Sequence, residues 1–202
     1  MIIEHLGKKP NIHPTAYIAP NATICGDVTI GKHTRIMFGA QIIAESSPIT
    51  IGDNCIVLEN AVLRGTHELP LEMDDYCLVG PNAHLAGCTI EKNVFIATGA
   101  SVFHGARIKA GAEIRINGVV HLKTIFPKNE ILPIAWVAVG SPMQMFPPEK
   151  HNEIWAVQKE LNFTELVYGV SNEDELENIN QNLCKTMSSR LGLHKNDVIH
   201  PL

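Results

Sequence analysis

His67 and His84 stand 17 residues apart, with Glu68 beside the first and Arg64 three positions before it. Two imidazoles and a carboxylate are donor types that hold a metal ion, provided that their rings converge. A neutral imidazole is also a common general base, so His84 and His67 are the candidate catalytic residues as well as the candidate metal ligands. Arg64 presents a planar fork of N–H donors that fits a carboxylate, phosphate or bicarbonate, with Glu59, Glu68 or another carboxylate as its alternative partner. Arg64, Glu68 and His84 are therefore the candidate ligand-binding residues. His104 and His121 read as surface or packing groups. The five cysteines, Cys25, Cys55, Cys77, Cys88 and Cys184, are odd in number and form no C-x-x-C pair, which argues for reduced thiols rather than a disulfide framework or zinc ribbon. Cys77 and Cys88 read as small core residues.

The elements that must position these side chains follow from a repeat. Aliphatic residues recur every sixth position at Ile18, Ile24, Ile30, Ile36 and Ile42, then at Ile51, Val57 and Leu63, at Met73, Val79 and Leu85, and from Ile90 through Ile96, Val102, Ile108 and Ile114 to Val120. A period of six is too short for a helix pair and too regular for a sandwich. It predicts an all-β solenoid in which each hexad gives one short strand, three hexads make a turn, and turns stack about 4.8 Å apart around an apolar column. His84 directly precedes inward-pointing Leu85, so its ring is expected to face outward.

The ladder breaks in three places: nine residues from Ile42 to Ile51, ten from Leu63 to Met73 and five from Leu85 to Ile90. Numbering faces cyclically from Ile18 puts Ile42, Leu63 and Leu85 all on the second face. Every irregularity thus falls at the corner between the second and third faces, where a rigid scaffold would carry functional loops.

The ladder is expected to end near His121-Leu122-Lys123, giving a solenoid over 1–123. A capping strand and a helix are expected over 124–170, the strand within Ile134–Gly140 and the helix over Pro148–Leu161 with Ile154, Val157 and Leu161 along one face. An acidic helical extension fills 171–202. Its helix is expected over about Glu173–Leu191, capped near Ser171 or Asn172 and stopped by Gly192, with the last ten residues disordered. The net charge of −5, with no Lys/Arg block, argues against nucleic acid or an anionic membrane as partner. Without a signal-like or membrane-length apolar run, a cytoplasmic location is expected.

Several strings resemble the γ-class carbonic anhydrases of the left-handed parallel β-helix superfamily. They are Asn11–Pro20 with Gly26–Gly31, Ala83–Ile90, Thr98–Ile108 and Trp136–Pro142, within a resemblance covering roughly residues 1–170. It implies a left-handed hexapeptide-repeat β-helix followed by C-terminal α-helices, assembled as a homotrimer. It further implies zinc or iron held by three histidines between subunits, activating a water to attack carbon dioxide. Aligned on Gly87-Cys88-Thr89-Ile90, those ligand positions are Arg64, Pro81 and Ala86; a register one coil along makes them Ala86, Thr98 and Phe103. Neither set contains a histidine. The family's Arg-Gly-Asp falls on Ile43-Ala44-Glu45 and its Gln-Asp-Asn on Leu58-Glu59-Asn60. The spacing of His67 and His84 reproduces the first-to-second ligand spacing, displaced by three residues.

The reading that follows is a trimeric γ-carbonic-anhydrase-like protein without the family's metal site, binding a small anion such as bicarbonate or serving as a scaffold. Two alternatives stand beside it. One is a hexapeptide-repeat acyltransferase with His84 or His67 as general base and acyl-CoA between subunits. The other is a carbonic anhydrase whose zinc or iron is held by His67, His84 and a third group from a neighbour.

Overall fold

The computed structural model describes residues 1–171 and 175–201. The hexads form three columns of parallel-paired strands. On the first face Ile18, Ile36, Val57, Val79, Ile96, Ile114 and Leu132 lie in successive register. The second face stacks Ile24, Ile42, Leu63, Leu85, Val102, Val120 and Ala138. The third stacks Ile12, Ile30, Ile51, Met73, Ile90, Ile108 and Phe126. Nearly all of these side chains are buried and together they are the core. A single coil buries almost nothing, so the burial comes from stacking. The architecture is a left-handed parallel β-helix with C-terminal helices.

The ladder does not stop near His121. Strands Ile125–Phe126, Ile131–Leu132 and Val137–Val139 add a further coil with the same six-residue step. Pro127 and Pro133, which disguise it in the sequence, follow Phe126 and Leu132. In earlier coils the residue after the inward aliphatic donates its N–H to the next coil, as Lys109 does to the Phe126 carbonyl and Arg115 to that of Leu132. The last coil has no such acceptor on these faces, so proline's missing N–H costs nothing there. Val137–Val139 also pairs antiparallel with Gln144–Phe146.

Strands Thr23–Ile30 and Gln41–Ile51 run unbroken around the corner from the second face to the third. Gly26 makes the bend: its φ is +82°, and a Cβ there would lie 2.4 Å from the Ala44 carbonyl oxygen, so only glycine fits.

After the solenoid come α1 (His151–Gln158), α2 (Phe163–Tyr168) and α3 (Leu176–Leu191). The α1 helix buries Ile154 and packs on Val137–Val139. The sequence pattern gave no sign of α2. The N-cap of α3 is Glu175, four residues beyond Ser171, with no side-chain cap hydrogen bond there, and Asn172 and Glu173 lie outside the described residues. The helix ends at Leu191 with Gly192 as its C-cap, as the sequence suggests, but without a left-handed turn. The φ of Gly192 is −60°, and the chain continues through the 3-10 turn Gly192–Asn196 into strand Val198–His200, which pairs antiparallel with Ile2–Glu4. The tail is thus tied to the first strand rather than disordered. Among the described residues no helix is long and apolar enough to cross a membrane.

Candidate functional site

The irregular corner holds a cavity of about 160 Å³. Glu45, Arg64, Thr66, His67, His84, Ala86 and His104 line it from the solenoid, while Val167, Tyr168, Met187 and Arg190 close it from α2 and α3. Stacking explains the convergence, since Arg64 is register partner to Ala86 on the next coil and to Ile43 on the previous one. Four successive coils, those of Ile42, Leu63, Leu85 and Val102, therefore present their corner residues to one space.

The inserted residues shape its wall. Thr66 and Leu69 exchange backbone hydrogen bonds of 3.1 and 2.9 Å, making a tight turn whose tip is His67-Glu68. His67 faces Gly169 at the end of α2: a Cβ on that glycine would lie 3.5 Å from His67 Nε2 and 3.5 Å from an Arg190 Nη. Glu68, with φ of +55°, is exposed and does not line the cavity. The carboxylate that does line the cavity is Glu45, which is 8% exposed and pairs with Arg64. Arg64 is thus engaged within its own chain, and by neither Glu59 nor Glu68. Arg190 makes no ion pair among the described residues.

His104 is the residue that sequence reasoning misplaced. It is 5% exposed and lines the cavity, and neither ring nitrogen has a hydrogen-bond partner; Thr66 Oγ1 beside the cavity is unpartnered as well. Burial, then the neighbouring His84 and Arg64, push its pKa down to about 4. The His84 pKa is lowered by burial and then by the Arg64 guanidinium. Both rings are neutral at pH 7, and each offers one N–H donor and one lone-pair acceptor. The signal for His104 was its position two residues after second-face Val102, on the same corner as the insertions. His121 remains on the second face, its ring 5.9 Å from that of Phe103, and does not line the cavity. Cys77 and Cys88 are buried in the core cluster.

No family model matches the chain. It is 34% identical over 111 residues to a carbonic anhydrase of Geobacillus kaustophilus, covering 55% of this chain and 61% of that one. It is 27% identical over 130 residues to the mitochondrial γ carbonic anhydrase 2 of Arabidopsis thaliana, covering 61% and 47%. Over these stretches the chain is similar to carbonic anhydrases, the γ class among them. It spans about half to three-fifths of the length of those relatives. Among solved structures, a hexapeptide transferase family protein of Anaplasma phagocytophilum overlays with a TM-score of 0.45 at 19% identity, covering 93% of this chain and 97% of that one.

The metal implied by this resemblance can be tested against the side chains. Of the expected ligand positions, Arg64 and Ala86 line the corner cavity and Pro81 lines a separate apolar groove with Phe95 and Ile116. Alanine and proline side chains have no donor, and a guanidinium does not lose its proton to bind a cation. Among the described residues the sole set of three ligand atoms lying within 4.8 Å of one another is His5, His194 and Asp197, so the cavity's own His67, His84 and His104 do not form one. Within one chain, and among the described residues, the donor set of the cavity does not fit a three-histidine metal.

Proposed function

We propose that the corner cavity of this γ-carbonic-anhydrase-like chain binds a small oxyanion, bicarbonate or a short carboxylate, in place of the family's metal chemistry, and that the chain works as a homotrimer. His104 carries the reading. A buried neutral imidazole with two unpartnered nitrogens, costing roughly 1–3 kcal/mol for each unsatisfied group, is a site lacking its partner. Arg190 supplies the positive charge. Arg64 is held in place by Glu45, leaving its remaining N–H groups for a ligand oxygen, and neutral His84 and His104 act as N–H donors.

Size favours this ligand over acyl-CoA. The cavity of about 160 Å³ lies below the roughly 300–1,000 Å³ typical of drug-sized ligands, so a CoA chain would lie outside it. The acyl-transfer reading, with His84 or His67 as base, therefore receives no support from the cavity's dimensions.

Calorimetric titration of the full chain with bicarbonate, acetate and inorganic phosphate tests the proposal. Saturable binding of one small oxyanion per cavity is expected. Arg190→Ala should weaken it about 10-fold or more, the loss of one charge-assisted hydrogen bond of roughly 1.5–3 kcal/mol. Binding unchanged in both Arg190→Ala and His104→Leu would remove the reading. So would rapid carbon dioxide hydration abolished by a chelator. Sedimentation equilibrium reads the trimer directly, and a monomer at micromolar concentration would overturn that part.

A further inference from the structure

A second cluster of chemically capable side chains lies where the two ends of the chain meet, and it shares no residue with the corner cavity. His5 follows strand Ile2–Glu4 and turns back through Leu6 and Gly7 to bond Lys8, which fixes its ring against the solenoid. His194 and Asp197 arrive from the tail after α3, on the segment that the Val198–His200 strand holds against Ile2–Glu4.

The geometry is convergent. His5 Nδ1 lies 2.6 Å from Asp197 Oδ1, and His194 Nδ1 lies 2.8 Å from Oδ2 of the same carboxylate. The two imidazoles stack, centroids 4.2 Å apart and planes 21° from parallel, with both Nδ1 atoms turned to Asp197. The Cys25 thiol, itself buried, points at Asp197 Oδ2 from 3.9 Å. The His5 side chain is 2% exposed, and that of Asp197 is 14% exposed. A tetrahedral zinc site with bonds of ~2.0–2.3 Å places its ligand atoms about 3.3–3.5 Å from one another. The two histidine–carboxylate contacts are at hydrogen-bond length, and His5, His194 and Asp197 bring their ligand atoms within 4.8 Å of one another. For zinc the stacked rings must splay so that both in-plane lone pairs meet one cation, and the Cys25 thiol, which lies outside that set, must swing in from its 3.9 Å contact with Asp197 as the fourth ligand.

We infer that His5, His194, Asp197 and Cys25 form a structural site for a borderline-soft divalent cation, zinc above all. Two neutral imidazoles, one carboxylate and one thiolate match that cation in donor type and leave no net charge in a mostly buried place. The balance is simple: the cation binds, Cys25 gives up its proton to solvent, and the Nδ1 protons now bonded to Asp197 move to Nε2. No electron is transferred. The site joins the first coil to the tail, and through the tail it steadies α3, whose Met187 and Arg190 close the corner cavity.

The full chain, stripped with a chelator and titrated with cobalt(II) and then zinc(II), tests this. One equivalent of cobalt per chain is expected, showing visible d–d bands and a near-ultraviolet thiolate charge-transfer band, with zinc displacing it. Cys25→Ser should lose only the charge-transfer band. Asp197→Asn and His194→Ala should lose the bound equivalent, and zinc should raise the melting temperature of the unaltered chain but not theirs. The His194 side chain is 30% exposed, so its variant keeps the test valid if changes at buried His5 prevent folding. No stoichiometric cobalt uptake would overturn the site. Uptake that survives Asp197→Asn but vanishes in a His84→Ala, His104→Ala double variant would also overturn it, by moving the metal to the corner. A charge-transfer band intact in Cys25→Ser would remove Cys25 from the ligands.

Discussion

Lowering the pH from 7 to 5 should cost the chain about 2 kcal/mol of stability through His104 alone. The ordinary histidine pKa of 6.5 is pushed down to about 4 at this residue, first by burial and then by His84 and Arg64. Because the folded value lies below the unfolded one, the unfolded chain takes up the proton first. Above about pH 6.5 nothing is lost. Stability then drains away as the pH falls towards about 4, to a total near 3 kcal/mol at about 1.4 kcal/mol per unit. His84 and His121, both lowered with burial as the leading cause, add to the loss in the same direction. Urea unfolding at pH 7 and pH 5, in a buffer free of small carboxylates, measures it. In His104→Leu the titrating group is gone, so the loss between the two pH values should shrink by about 2 kcal/mol. At pH 7 the variant should be no less stable, because two unpartnered nitrogens leave with the ring. If the unaltered chain and the variant lose the same stability between pH 7 and 5, then His104 is not buried and neutral, and the description of the cavity fails.

The other expectations concern the wall of the same cavity. Arg64→Ala leaves the Glu45 carboxylate, 8% exposed, without its partner. It should cost about 1–3 kcal/mol in urea unfolding, below the 3–5 of a fully buried pair because Arg64 keeps some access to water, and Glu45→Gln in the same chain should restore most of it. Gly87→Ala places a Cβ 2.8 Å from that of Leu69 and 3.2 Å from the His104 ring, at a φ of +51°. A loss of about 1–3 kcal/mol is expected, together with weaker oxyanion binding as His104 is displaced; a variant matching the unaltered chain in both would contradict the packing.

Much of the scaffold was legible because inward-pointing residues obey one rule. Ile24, Ile42, Leu63, Leu85 and Val102 share a column since each fills the same position in its coil, and the spacing between them betrays every inserted corner. Corner residues obey no such rule. Whether His104 points into the cavity or away from it depends on Gly87, the Thr66–Leu69 turn and α2, which the hexad period does not encode. The pairing of Arg64 with Glu45 was equally hidden, because the nine- and ten-residue steps leave the loop path free. The last coil was obscured by prolines that read as breakers, although at a terminal coil they remove only unneeded donors. The meeting of His5 with His194 and Asp197 needs the tail to return across the whole length of the chain, a closure no local pattern announces.

A repeating coil has a hazard built into it: its first and last turns present the same hydrogen-bonding ladder that joins all the turns between, and two molecules could stack end to end. On the second face both ends are closed by a change of direction. Ile2–Glu4 runs parallel to Thr23–Ile30 on one side but antiparallel to Val198–His200 on the other. Val137–Val139, at the far end, meets the antiparallel Gln144–Phe146. A short reversed strand occupies the edge that a further parallel coil would take, so on this face the chain's own tail and hairpin cover the two ends of the ladder.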